Sequence, residues 1–310
     1  MRPSSTVRKM LDWYDGERPG VKANLARMLM HGRTAGSGRM VILPVDQGFE
    51  HGPARSFAPN PAAYDPHYLF ELAIEADLSA FAAPLGLLAA GADHFAGSVP
   101  LILKANSANS LGTIKDEAVT AGVQDALELG CSAVGYTIYP GSDRQYDMFE
   151  EVRAAAAEAR ANGLAVVVWA YPRGGTLTPE GETALDVVAY GAQIAAQLGA
   201  HIIKVKLPTA HIEMPEARSV YEGMSTDFSQ LSNRVAHVMQ AAFNGRRIVV
   251  FSGGAAKDRE TVTKEARAIV AGGGHGSIIG RNSFQRPRGE AIDMLREISS
   301  IYAAGEVAVG

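Results

Sequence analysis

Cysteine is nearly absent: Cys131 is the only one in 310 residues. No intrachain disulfide can form, and a reducing, cytoplasmic setting is expected. Cys131 stands in Gly130-Cys131-Ser132-Ala133-Val134, just ahead of an apolar run. That context predicts a buried structural thiol, since reactive cysteines need exposed, electropositive surroundings. An excess of one charge is lacking too. Lys and Arg total 29 against 33 Asp and Glu, a net charge of −4, so neither nucleic acid nor an anionic membrane surface is an expected partner. Local positive charge can still bind small anions. No apolar run approaches the roughly 20 residues needed to cross a bilayer, and the polar opening before Met40 predicts no signal peptide. His51, His67, His94, His201, His211, His237 and His275 are dispersed and form no compact ligand spacing, so no metal and no other cofactor is expected.

What is present is a repeated unit. Short β-rich runs recur, each followed by a Gly/Pro/Asn-rich break and a helical stretch. They read Met40–Val45, Leu78–Ala83, Leu101–Lys104, Ala133–Ile138, Ala165–Ala170, His201–Lys206, Arg247–Ser252 and Gly276–Arg281. Near-continuous apolar strands, rather than alternating ones, suit a parallel sheet covered by helices. Phe70–Ala76, the alanine-rich Phe149–Ala161, Ala184–Leu198 and Arg259–Ala271 are among the helical stretches. Gly130, Gly163, Gly199 and Gly245 precede strands, where left-handed cap residues are expected. Eight such units, with no dinucleotide fingerprint after the first strand, predict an α/β (β/α)₈ TIM barrel over residues 40–310. Residues 1–39 read as a helical extension that covers the barrel bottom or joins subunits.

Active sites of such barrels sit where the strands end. The polar residues there are Asp46-Gln47-Gly48, Lys104, Trp169-Ala170-Tyr171-Pro172-Arg173, Lys204-Val205-Lys206, Ser252-Gly253-Gly254 and Gly280-Arg281. Strand residues two apart share a face, so Lys204 and Lys206 point inward while Ile203 and Val205 meet the helices. A lysine amine made neutral by desolvation and nearby positive charge attacks a ketone, and the resulting iminium is an electron sink for C–C cleavage. Lysines can also snorkel to solvent or pair with Asp46. Strand lysines at 104 and 204, with an acid after the first strand, favour the chemical role. Facing direction alone does not choose among Lys104, Lys204 and Lys206. Asp46 suits orienting the lysine, stabilising the iminium or handling a hydroxyl proton, with helix capping as the plainer alternative. Tyr171 shares a face with Trp169 and is a candidate proton relay; Trp169 suits packing or substrate contact equally. Arg173 either binds phosphate or braces its Pro-Arg-Gly-Gly turn. Ser252, Gly253 and Gly254 after the seventh strand and Gly280 and Arg281 after the eighth occupy the usual phosphate position of this fold. His51 reads as a loop-bracing residue.

Several of these stretches are similar to the archaeal-type class I fructose-bisphosphate aldolases, a family also found in bacteria. They are Leu43-Pro44-Val45-Asp46-Gln47-Gly48-Phe49-Glu50-His51, Val168-Trp169-Ala170-Tyr171-Pro172-Arg173-Gly174, Gly199-Ala200-His201-Ile202-Ile203-Lys204, Phe251-Ser252-Gly253-Gly254 and Ile279-Gly280-Arg281-Asn282-Ser283-Phe284. The resemblance runs from about Met40 to Phe284. It implies Lys204 as the Schiff-base lysine, Asp46 as the acid beside it, Tyr171 as the proton-transferring phenol and Trp169 as a substrate contact. It further implies phosphate binding by Ser252, Gly253, Gly254, Gly280 and Arg281, metal-free cleavage of fructose 1,6-bisphosphate, and a homo-oligomer. His201 departs from the acidic residue common there, at a strand beginning away from the chemistry. Leu207–Asp227, with His211, Glu213, Glu216 and Arg218, is expected to shape the distal end of the site. Other phosphosugars, aromatic-precursor synthesis, signalling-sugar processing and a non-catalytic phosphosugar-binding barrel are the competing readings.

Overall fold

In a computed structural model of the chain, residues 2–254 and 257–305 are described, so the expected units at 1–39 and 40–310 each extend beyond them. Eight parallel strands close into a barrel in which each strand pairs with its neighbours in sequence and the last pairs with the first. They are β1 (Met40–Pro44), β2 (Ala80–Pro84), β3 (Leu101–Lys104), β4 (Ala133–Ile138), β5 (Ala165–Ala170), β6 (Ile202–Lys206), β7 (Ile248–Ser252) and β8 (Gly276–Ile278). The anticipated barrel is therefore present. Three runs, β3, β4 and β5, begin and end where their apolar stretches do.

The differences have local causes. The second strand begins at Ala80 rather than Leu78, because Asp77 turns with φ 56° and Leu78 N still bonds to the preceding helix at Ala73 O. The eighth ends at Ile278, and Arg281 is the first residue of a short helix, Arg281–Phe284, instead of a strand residue. The helix expected from Phe70 spans Pro66–Glu75: Asp65 accepts from His67 N at 2.9 Å and Pro66 occupies the first turn, where its missing N–H is harmless. Gly130, Gly163, Gly199 and Gly245 all have positive φ, as expected of left-handed caps. A two-stranded antiparallel pair, Asn106–Ser107 with Ala118–Val119, follows β3 and had no signal in the apolar pattern.

Strand alternation splits the apolar residues into two clusters. Outward-facing Val166, Val168, Ile203, Val205 and Val249 pack under the helices. Inward-facing Met40, Ile42, Val167, Ile202, Ile248 and Val250 fill the barrel's lower half, with Trp169 above them at the level of Lys204. Helices Ser5–Asp12 and Pro19–Leu29 add Val7, Met10, Val21, Leu25 and Met28 to that inner cluster, closing the bottom. Tyr14 ties this cover down: its hydroxyl donates to His201 O at 2.6 Å and accepts from Ile248 N at 3.1 Å. With the lower half filled, only the upper end is left for chemistry. Cys131 is buried, and burial pushes its thiol up to about 12. No helix among the described residues is long and apolar enough to cross a membrane.

Candidate active site

A cavity of about 240 Å³ opens at the C-terminal ends of the strands. Its wall carries Asp46, Tyr171, Arg173, Lys204, Lys206, Ser252, Gly253, Gly254, Gly280 and Arg281, ten of the sites anticipated from sequence. The basic side chains on it are Arg55, Arg173, Lys204, Lys206 and Arg281, five against the acids Asp46 and Glu50. In a chain of net charge −4 such a concentration of positive charge suits an anionic ligand.

Lys204 lies one residue pair below the end of β6 and is 5% exposed. Its Nζ stands 5.6 Å from the Trp169 ring centre and 5.1 Å from that of Tyr171. No hydrogen bond or ion pair with a described residue holds it. The other two inward lysines differ. Lys206 Nζ meets Glu182 at 3.0 Å, and Lys104 Nζ meets Glu117 at 3.2 Å. Geometry thus separates three lysines that sequence facing could not.

Asp46 stands at the cap position of the short helix Gln47–His51, yet its carboxylate makes no cap bond and no bond to any described side chain. The plain helix-capping reading therefore fails. Arg173 lies 4.5 Å over the Tyr139 ring and 5.7 Å from that of Tyr171, with its buried Nε unpartnered. His51 lines the cavity beside Glu50 at 3.6 Å. Burial holds its pKa below the usual range; Glu50 opposes this, and Arg281 and Arg55 add to it. The phosphate-type loops lie together: Gly254 turns with φ 73°, and a side chain on Gly280 would come within 2.9 Å of Pro44 O. Among the described residues no group of three His, Cys, Asp or Glu is arranged to hold a metal.

Trp169 and Lys104 sit differently from the rest. Trp169 is 1% exposed and lies beside the Lys204 amine without lining the cavity, its indole running across Gly135 so closely that a Cβ there would meet the ring at 2.0 Å. Its indole N–H is buried without a partner. Lys104 lines an adjoining recess with Asp46 and Tyr171. The segment Leu207–Asp227 does not line the cavity, which corrects its expected role. His211 and Arg218 border a separate open cleft, and Glu213 is engaged by His211 at 2.8 Å and by Thr178 N at 2.8 Å.

The DeoC/LacD family aldolase pattern matches residues 40–286, nearly the span over which the motifs resemble the class I enzymes. The chain belongs to the DeoC/LacD family of aldolases. Relatives in it include a fructose-bisphosphate aldolase class 1 from Thermoproteus tenax, 36% identical, with 87% of this chain and 91% of that one aligned. The corresponding protein of Halobacterium salinarum is 34% identical over 88% of this chain and 95% of its own length. An archaeal fructose-1,6-bisphosphate aldolase, solved with its catalytic Lys covalently bound to the carbinolamine intermediate of the substrate, superposes with a TM-score of 0.74. That structure is 33% identical and covers 90% of this chain and 99% of its own.

For this aldolase the sequence reading missed Arg55 and Glu50 on the wall and the two carboxylates that hold the flanking lysines, Glu117 and Glu182. Glu50 was within reach, three residues after Gln47 in the stretch Leu43–His51. Glu117 and Glu182 had no local signal: one lies in an irregular segment and the other in a single 3-10 turn, Gly181–Thr183, 13 and 24 residues from the lysines they hold.

Proposed function

We propose that the chain is a class I fructose-bisphosphate aldolase, a lyase that reversibly cleaves fructose 1,6-bisphosphate into dihydroxyacetone phosphate and glyceraldehyde 3-phosphate through a Schiff base on Lys204. The observation that carries this reading is the Lys204 amine, which is buried, bound by no carboxylate among the described residues and open to a cavity rich in positive charge. The names of the relatives point the same way.

The neutral amine attacks the C2 ketone, and loss of water from the carbinolamine gives an iminium. When the C4 hydroxyl gives up its proton, the C3–C4 electron pair moves into the iminium. Glyceraldehyde 3-phosphate leaves and an enamine remains. Protonation at C3 and addition of water then release dihydroxyacetone phosphate and restore the amine. The iminium supplies the electron sink, so the sequence of steps calls for no metal. Asp46, a carboxylate with no partner among the described residues, suits orienting the amine and receiving a hydroxyl proton. Tyr171, whose ring stands 5.1 Å from Lys204 Nζ, suits relaying protons. Ser252, Gly253, Gly254, Gly280 and Arg281 suit one phosphate, and Arg173 and Lys206 add charge for the other. Trp169 and Lys104 complete the substrate-facing set, beside the amine and in the adjoining recess. Residues 1–39 serve as the cover and the remainder as the catalytic unit. A cytoplasmic homo-oligomer is in keeping with the lone buried thiol and the exposed Leu111, Ile114 and Tyr146.

The test is borohydride added with fructose 1,6-bisphosphate in excess EDTA, followed by digestion and mass spectrometry. Cleavage should persist in the chelator, and the reduced adduct should map to Lys204. Activity lost to EDTA and restored by zinc, or turnover with no lysine adduct, would overturn the proposal.

A further inference from the structure

Beside the main cavity lies a recess lined by Asp46, Glu50, Lys104, Glu117, Tyr139 and Tyr171. At its back, Lys104 and Glu117 form an ion pair almost closed to water, 3% and 7% exposed. The ammonium also donates to the Asn106 carbonyl and, at 3.0 Å, to Asn106 Oδ1, so all three of its protons have acceptors. Asn106 Oδ1 is itself fixed by Thr137 N at 2.7 Å. The second oxygen of Glu117 accepts from the Tyr139 hydroxyl. Burial, reinforced by that carboxylate, pushes the Tyr139 phenol far above its usual range, which keeps it a donor. Arg173 then stacks on the Tyr139 ring and reaches toward Tyr171. One buried carboxylate therefore ties together a lysine on β3, a tyrosine after β4 and, through it, an arginine after β5.

We propose that Glu117 is a positioning residue that decides which lysine is the nucleophile, by holding the Lys104 amine in an ion pair and leaving Lys204 the unpaired one of the three inward lysines. The proposal rests on the Schiff-base reading above. Lys104 and Lys204 approach the same indole, 5.9 and 5.6 Å from its centre, which puts both amines beside one ring in the barrel interior. An amine that keeps its proton has no lone pair to attack with. Were Lys104 neutral, it would condense with the ketone, expelling one water, to give an iminium out of line with Asp46 and Tyr171. Glu182 acts on Lys206 in the same sense, but that pair is partly exposed and so depends less on its counter-ion. The other charged or titratable groups facing the pair are Asp46 and Glu50 after β1, Tyr139 after β4, and Tyr171 and Arg173 after β5. Lys204 faces it from β6. None of the acids among them is bonded to Lys104, so Glu117 is its sole counter-ion among the described residues.

Removing the Glu117 charge leaves a buried cation with no anion, which must either keep its proton or shed it. The experiment is borohydride trapping with fructose 1,6-bisphosphate across pH 6 to 9, on the full chain and on Glu117→Gln, with adducts mapped by mass spectrometry. The parent should trap on Lys204 alone. If Lys104 sheds its proton in the variant, a second adduct appears on Lys104 and grows with pH. If it keeps the proton, the uncompensated charge favours the neutral form of Lys204, and the trapping profile moves about half to one unit to lower pH. Either result supports the proposal. Adduct on Lys204 alone with the parent's pH profile overturns it. Should Glu117→Gln fail to fold, Lys104→Met leaves the anion unopposed and should move the profile to higher pH; an unmoved profile overturns the proposal equally. A parent that turns over without any adduct would sink the Schiff-base reading itself, an outcome separate from either of these.

Discussion

The two ends of the barrel use their polar groups differently. At the bottom, His201 and His275 each stand before an inner strand, and each offers its ring Nδ1 to a backbone N–H: Val166 N at 2.9 Å and Val249 N at 3.1 Å. Tyr14 bridges His201 O and Ile248 N above the same layer. Polar groups there join the helical cover to the strand ends and stabilise the barrel. At the top, the Lys204 amine, the Asp46 carboxylate and the Arg281 guanidinium have no hydrogen-bonding partner among the described residues, and the indole N–H of Trp169 is orphaned. Leaving a buried group such as the Trp169 indole N–H or the Lys204 amine unmet costs about 1–3 kcal/mol for a neutral one and more for a charge. A fold tolerates that where a ligand will supply the missing partner. The contrast separates groups that serve the fold from groups that serve the reaction, and substitutions at the two ends should separate in the same way.

The largest effect is expected at Lys204. Lys204→Met keeps a linear side chain of similar reach but removes the nucleophile, so turnover should fall by about 10⁴–10⁶-fold. Because the amine has no partner to lose, thermal stability should hold or rise. A coupled cleavage assay and a melting curve on one preparation read both. Retained turnover would move the nucleophile elsewhere, and a lower melting temperature would mean that the amine has a structural partner after all.

Tyr171→Phe comes next. It deletes only a hydroxyl, so the borohydride adduct should still form while turnover falls by about 10²–10⁴-fold. Tyr14→Phe removes the same atom from the other end and should do the reverse. It removes the hydroxyl bridge between His201 O and Ile248 N, lowers stability by about 0.5–1.5 kcal/mol and spares kcat. If both variants lost activity in proportion to stability, the division between the two ends would not hold. Smaller again is Arg281→Ala, which should weaken substrate by about 1.5–3 kcal/mol through loss of a charge-assisted contact. Inorganic phosphate should compete with substrate in the parent and much less in the variant, and unchanged kinetics would remove Arg281 from the phosphate loops.

The same contrast explains what could be read from sequence. Strands such as Ala165–Ala170 are legible because their residues face either apolar helices or an apolar barrel interior, and that leaves a continuous hydrophobic run. Lys204 was legible as a polar interruption of such a run, and Ile203 and Val205 face outward as the two-residue period requires. The bottom of the molecule was less so. His201 could be recognised only as an oddity, since its acceptor role depends on Val166, 35 residues away. Glu117 was invisible for a related reason: its segment has no period, and its partners Lys104 and Tyr139 meet it only once β3 and β4 are side by side. Trp169 was visible as an aromatic but ambiguous in role, because the room it occupies comes from Gly135 on the neighbouring strand. Pattern reports the direction in which a residue faces. It does not report what the residue meets.

His275 gives the smallest and most specific test of the bottom layer. The ring is fully buried, with the edge of Trp13 at 5.5 Å, and burial, with Arg39 adding to it, lowers its pKa from 6.5 to about 3. Between those values the unfolded chain binds a proton that the folded chain does not, so stability falls as pH falls through that window and is unaffected above it. Going from pH 7 to pH 5 should remove about 2 kcal/mol on this account alone. His201 adds in the same direction, since burial also lowers its pKa, against the opposing pull of Glu17. His275→Asn retains an acceptor for Val249 N and removes the titration. It should be less stable than the parent at pH 7.5 by roughly 1–2 kcal/mol, because a ring is lost from a packed layer. Its urea midpoint should nevertheless fall less than the parent's between pH 7 and pH 5, with kcat at pH 7.5 unchanged. Equal falls in the two proteins would show that acid enters this barrel by another route, and a loss of kcat would mean that the two ends are coupled.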